Sequence, residues 1–352
     1  MKCRQAGLSL VELMVSAMLG LFLITGIAHL LLATNKSWAL QDELSRVQEN
    51  ARMAVHILGS HIRRAAYTGC PSETSLANNI SANHNARQWM SHFDKGLLGL
   101  QAGTDVKGYL DSQAISEAVI VHGINRNQSL LVSSHDTGTA TLSLENNHDY
   151  DGGDLLALIS KGCQQVSLFR AGADTDRNRV THPISESGNL YNCTNHLKGH
   201  YNCHTSSAEA ENLNHKGSEL MPLNSYALYL RNSNGVPTLY RKQAGEYMSG
   251  NSINAEALME GIEKIRLLYG EDTDQDGVVN QYRTAADLGL FSHQWKQVIS
   301  VKLELLARSF REVAPHPQAY FFSGQRIVPN DLYIRRNFVA TIELRNRTTA
   351  PE

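Results

Sequence analysis

Two short stretches of this chain combine residue types and spacings that could hold a cation. In EDTDQDGVVNQY, Asp272, Asp274 and Asp276 stand at alternate positions, Gly277 follows, and Asn280 comes four residues after Asp276. Hard oxygen ligands at this spacing, with a glycine for the sharp turn, are what a calcium loop requires. Val278 would add its backbone carbonyl, and Asn280 a side-chain oxygen or a bound water. The twelfth position, where an EF-hand has a bidentate glutamate, is Arg283. Asp287 or Glu271 would then have to supply a ligand, or the site would be weaker. The competing reading is an acidic turn between strands, where Asp and Gly are common anyway. DYDGGD (Asp149, Asp151, Asp154) and DTDRN (Asp174, Asp176, Asn178) lack the full spacing and read as turns.

The second stretch, CTNHLKGHYNCH, offers Cys193, His196, His200, Cys203 and His204 as a soft donor set, with His196 and His200 on one helical face. The alternative is a disulfide. The chain has five cysteines; once Cys3 leaves with a processed amino terminus, Cys70, Cys163, Cys193 and Cys203 remain. An even number suits two bridges in an oxidising compartment, but four cysteines allow three pairings and the sequence does not choose among them. There, Cys193 and Cys203 would more naturally close a short loop. Cys70 would then tie the end of a helix to a sheet through Cys163.

The chain carries no nucleophile elbow, P-loop, HExxH or dinucleotide fingerprint. The expectation is a non-enzymatic protein with no required cofactor, calcium being the one candidate ion. A formal net charge of -2 provides no global basic field for nucleic acid.

These residues need a framework, and it begins with a helix. Lys2 and Arg4 precede Gly7, and Leu13 to Ala33 is an uncharged apolar run whose His29 reads as an imidazole near the far interface. At 1.5 Å per residue this run spans roughly 30 Å, about the hydrocarbon thickness of a bilayer. The basic residues ahead of it predict a cytoplasmic start with the remainder exported. Glu12 is the anomaly, since a carboxylate inside a membrane helix costs on the order of 3 kcal/mol. If the chain is cut after Gly7, the new α-ammonium of Leu8 lies one helical turn from Glu12. The two could pair, within one chain or between neighbouring copies in a helical bundle.

Beyond the apolar run, Leu40, Leu44, Val47, Ala51, Ala54, Val55, Leu58 and Ile62 recur at three- and four-residue spacing. Asp42, Glu43, Arg46, Gln48, Glu49 and Arg52 lie between them, which is the pattern of an amphipathic helix. No proline occurs before Pro71, so one continuous helix from about Leu8 to Ala66 is predicted. From Gly69 onward the signals are those of strands: Ala118 to His122, Leu130 to Ser133, Asp154 to Ile159 and Val166 to Phe169. Ile299 to Leu305 and Phe338 to Arg345 alternate apolar and polar, as half-buried antiparallel strands do. Asn234-Gly235 between two Tyr/Leu-rich arms signals a hairpin, and Pro237 in the return arm implies an edge strand or a bulge. Residues 72–105 read as loop with short helical turns.

The amino terminus resembles the class III signal of type IV prepilins. It has the short basic leader, Gly7 at the cut, Ser9 and Leu10, and Glu12 as fifth residue of the mature chain, with Leu8 where that family usually has Phe. QENARMAVHILGSHIRRAAYTGC, GDLLALISKGCQQVSLFR, MEGIEKIRLLYGEDTDQDGVVNQY and RRNFVATIELRNR are similar to PilW-type minor pilins, while 171–220 matches least. The resemblance implies an α+β, type IV pilin fold whose long N-terminal helix packs on an antiparallel β-sheet head. Residues 1–7 would be a removed leader, 8–33 the transmembrane half of the helix, 34–68 the amphipathic stalk and 69–352 the periplasmic head. It further implies cleavage after Gly7 and N-methylation of Leu8 by a prepilin peptidase, with Glu12 aiding docking into the filament. The chain would be a single-pass inner-membrane protein that then enters the surface pilus, priming or supporting its assembly at or near the tip. Partners would be other minor pilins, the major pilin, a tip adhesin and membrane lipid. Twitching motility, adhesion and DNA uptake are the family's outputs. Three rivals remain: a type II secretion pseudopilin, with the same signal and fold; a membrane-anchored periplasmic metal-binding protein built on the Cys/His cluster; and a head that binds DNA for uptake, which the balanced charge gives little encouragement.

Overall fold

A computed structural model of the chain describes residues 10–71, 74–82, 85–173, 176–184, 190–195, 197, 201–203, 215–244 and 255–347. One helix, Leu10–Arg63, runs for 54 residues. From Leu10 to Trp38 it is exposed at every position but Gly20, and this half is long and apolar enough to cross a membrane. Hydroxyls in that half are internally satisfied: Ser16 donates to the Leu13 carbonyl at 3.0 Å and Thr34 to that of Leu30 at 2.8 Å. Such back-bonding lets a polar side chain sit in an apolar helix. The helix stops three residues before the expected Ala66. Residues 64–66 form a turn in which Ala66 takes a left-handed φ of 61° and its amide donates to the His122 carbonyl.

The second half of the helix buries Glu43, Val47, Ala51, Ala54, Leu58 and Ile62 along one stripe. Leu40, Leu44 and Val55 flank it, partly buried. The stripe packs on a fully antiparallel sheet whose strands lie in the order Gln281–Arg283, Ile262–Glu271, Val298–Glu312 and Tyr333–Glu343. A second antiparallel sheet follows the order Ala255–Glu260, Val236–Gln243, Tyr226–Ser233, Ala114–Val121 and Leu97–Leu100. Its hairpin turns at Asn234 and Gly235, both with positive φ (50° and 85°), as a two-residue type I′ turn requires. The strand bearing Pro237 is not at the edge, because it pairs on both sides. Pro237 lies opposite Asn232, and pairing with the third strand begins only at Thr238, so its missing N–H breaks no ladder. The anticipated irregularity falls at Leu239/Tyr240.

The expected single antiparallel head is instead several sheets. The largest has eight strands, and Ser75–Asn78 pairs in it parallel to both Gln165–Arg170 and Tyr201–Asn202. Residues 72–105, expected as loop, contribute three strands: Ser75–Asn78, Ile80–Ala82 and Leu97–Leu100. The central strand Leu155–Ile159 is buried at every position because apolar clusters cover both faces of this sheet. That two-sided burial is why LLALI reads as a continuous apolar run rather than an alternation.

Candidate functional site

The helix presents two functional regions in sequence: an exposed apolar half and a buried junction with the sheets. Glu12 stands exposed in the helix's first turn, where a carboxylate favours the positive end of the helix dipole. Gly7 and Leu8, the expected processing site, lie outside the described residues. Around Glu12, Leu10, Val11, Leu13, Met14 and Val15 are all more than half exposed. An apolar surface of this extent requires lipid or other apolar helices around it.

At the junction, Glu43 is only 1 % exposed although Asp42 beside it is exposed. Its Oε1 accepts from Arg311 Nε at 2.7 Å, and its Oε2 accepts from the Phe310 amide at 2.8 Å. Asp42 lies 3.5 Å from Arg311 and 3.2 Å from Arg46, extending the ion pair over the surface. The other end of the stalk is gripped from the carboxyl terminus. The Arg345 amide donates to the Arg63 carbonyl at 3.3 Å, and Asn346 Nδ2 to that of Ala65 at 3.0 Å. Arg347 is partly buried and donates to the carbonyls of Val298 at 2.7 Å, Trp295 and Lys95. Burial lowers its pKa to about 10, partly opposed by Asp94. Neither Glu43 nor Arg347 stands out in sequence as a fastening residue, and for Glu43 the only signal is its place on the apolar stripe.

Residues 227–346 match the family model of Type IV Pilus-assembly protein W (PilW). No curated protein and no solved structure matches the chain. The matched span holds the hairpin and the sheet that carries the stalk helix, including Phe310 and Arg311, and it supports an involvement in type IV pilus assembly. Of the four phrases similar to PilW-type pilins, MEGIEKIRLLYGEDTDQDGVVNQY lies within it and RRNFVATIELRNR does so but for Arg347. The phrases at 48–70 and 153–170 lie outside.

The same span holds the acidic loop. Ligand oxygens of Asp272, Asp274 and Asp276 lie within 4.8 Å of one another. Asp272 is buried and accepts from the amides of Gln275 at 2.7 Å and Gly277 at 2.9 Å, which closes the loop around it. Asn280 Oδ1 accepts from Thr273 N at 2.6 Å, so it serves the turn. Glu271 and Asp287, the possible replacements for the missing glutamate, are engaged elsewhere. Glu271 accepts from Gln281 at 2.9 Å and Arg283 at 3.3 Å, and Asp287 forms a capping box with Thr284. Three crowded carboxylates fit a hard cation, with Val278 and water left to complete its shell.

The cysteines pair as Cys70–Cys163 and Cys193–Cys203. Bridged sulfurs offer no thiolates, so the soft-metal reading of Cys193 and Cys203 fails; its histidines, His196, His200 and His204, lie outside the described residues. The first bridge pins the chain just beyond the stalk to the turn between Leu155–Ile159 and Gln165–Arg170.

Proposed function

We propose that this chain is a minor pilin that primes or supports type IV pilus assembly, held in the inner membrane by residues 8–33 and then incorporated at or near the filament tip. The observation that carries the reading is the continuity of one helix. Its exposed apolar half runs without a break into a half whose stripe is buried on the PilW-matching sheet. A rigid rod of about 80 Å, from 1.5 Å per residue, fixes the head at a set distance from the bilayer or filament core. Glu12 supplies the axial register by pairing with the α-ammonium at Leu8 of its own or a neighbouring copy. The prepilin peptidase makes that terminus by cutting after Gly7. The role is structural rather than catalytic, and calcium at Asp272, Asp274 and Asp276 orders a loop of the head. Other minor pilins, the major pilin and a tip adhesin are its partners.

Deleting the chain and restoring it as wild type or as Glu12→Ala tests the assignment. Surface pili should disappear on deletion, return with wild type and stay low with Glu12→Ala. Unchanged pili with failed protein export would instead assign the chain to a type II secretion pseudopilus.

A further inference from the structure

Three histidines that are remote in sequence meet beside the large sheet, away from the stalk. His135 belongs to the strand Leu130–Asp136, His182 follows the strand Arg179–Thr181, and His215 precedes the strand Glu219–Pro222. The pairing order 219–222, 130–136, 141–144, 179–181 brings these segments together. His182 is fully buried, His215 is 2 % exposed, and His135 is partly buried. The Nε2 atoms of His135 and His182 face each other at 3.1 Å. The His215 ring lies against that of His135, with centroids 4.9 Å apart at 61°.

Two features make this more than a packing coincidence. Two nitrogens bound to one tetrahedral zinc at 2.0–2.1 Å are themselves about 3.3 Å apart, close to the observed spacing. The site also gathers three imidazoles beside the ring of Phe169, whose centroid lies 5.3 Å from that of His182. The titratable groups that act on His182 are His135 and His215. The nearest carboxylate in sequence, Asp136, is turned to its own loop, accepting from Gly138 N at 2.9 Å and Thr139 Oγ1 at 2.8 Å. An all-nitrogen ligand set selects zinc, copper or nickel over calcium or magnesium.

We propose that His135, His182 and His215 bind one divalent transition-metal ion of the zinc and copper class. His135 and His182 coordinate through Nε2. One of the two Nε2 atoms carries a proton when they hydrogen-bond to each other; on metal binding that ring takes its proton at Nδ1 instead, so no net proton is released. His215 completes the trio by a turn of its side chain, since the aspartate group alone among the described residues already has its ligand atoms mutually within 4.8 Å. The ion would lock the far end of the large sheet by joining three segments that the backbone connects only through long excursions.

The test is titration of the untagged full-length protein in detergent with Co²⁺, followed by displacement with Zn²⁺. A single ion should bind with the visible absorption of tetrahedral cobalt and give way to zinc, with excess Ca²⁺ having no effect. His135→Gln, at the partly exposed position, should weaken binding by more than about tenfold, because loss of even an outer-shell partner of a metal costs roughly 10–100-fold. His182→Gln should do the same where it folds. Asp274→Asn should leave the affinity unchanged. Absence of a cobalt spectrum, equal affinity in His135→Gln, or loss of binding in Asp274→Asn would overturn the assignment.

Discussion

Glu43 and Arg311, 268 positions apart in the chain, meet where the stalk helix reaches the sheet, Oε1 accepting from Nε at 2.7 Å. The same carboxylate holds the Phe310 amide, so one buried acid fixes both a side chain and a strand end to the helix. Fastenings at this end and at Arg63–Ala65 leave the helix little freedom to pivot against the head. That stiffness suits the proposed role, in which the rod would transmit register from a bundle to a tip.

Glu43→Ala should therefore destabilise the head by about 2–3 kcal/mol, because it strands a buried amide and removes a charge-assisted bond. Arg311→Ala should cost clearly less, its side chain being 61 % exposed. Denaturation followed by the fluorescence of the buried Trp89 and Trp295 would rank the two. Equal losses would mean that Glu43 serves only its ion pair.

Acid should weaken the fold well before carboxylates titrate. Burial lowers the pKa of His61 to about 4 and of His122 and His182 to about 3, from an ordinary 6.5. Below pH 6.5 the unfolded chain takes up protons that the folded chain refuses. Stability is thus full above that pH and falls as pH drops towards 4, by up to about 1.4 kcal/mol per pH unit for each histidine. Melting temperatures across pH 4–8 should be flat above 7 and slope downwards below 6.5. A flat profile to pH 4 would contradict this.

The two bridges should differ in weight. Cys70–Cys163 spans 93 positions and Cys193–Cys203 spans 10. Loop-closure entropy assigns about 5 kcal/mol to the first and about 3 to the second. Replacing each pair with serine and comparing the unfolding midpoints should show the larger drop for Cys70 and Cys163.

Millimolar calcium should raise the melting temperature of the wild type and leave Asp274→Asn unmoved. Asp274 is the choice because it is exposed, whereas Asp272 also closes the loop through Gln275 and Gly277. The same rise in both proteins would place the ion elsewhere.

Much of this architecture is written locally. The helix, the Asn234-Gly235 hairpin and the alternating strands near residues 300 and 340 follow from periodicity and turn chemistry within one window. What escaped depends on contacts distant in sequence. SLAN and ISA are too short and too polar to announce strands, and they become strands through parallel or ribbon pairing with 165–170, 201–202 and 190–192. Glu43 looks like a surface acid until Arg311 and Phe310 arrive, and three separate segments must fold together before His135, His182 and His215 are neighbours. Of the two readings of Pro237, the edge strand failed and the bulge appeared two residues on, at Leu239/Tyr240, since an interior strand tolerates proline just beyond the point where its outer neighbour ends.

The proposed pairing of Glu12 requires a processed pilin terminus at Leu8. Its most direct test is the intact mass and amino-terminal sequence of the protein extracted from membranes, with and without its prepilin peptidase. The chain should begin at N-methylated Leu8 when the peptidase is present and at Met1 when it is absent. A chain beginning at Met1 in both would contradict it.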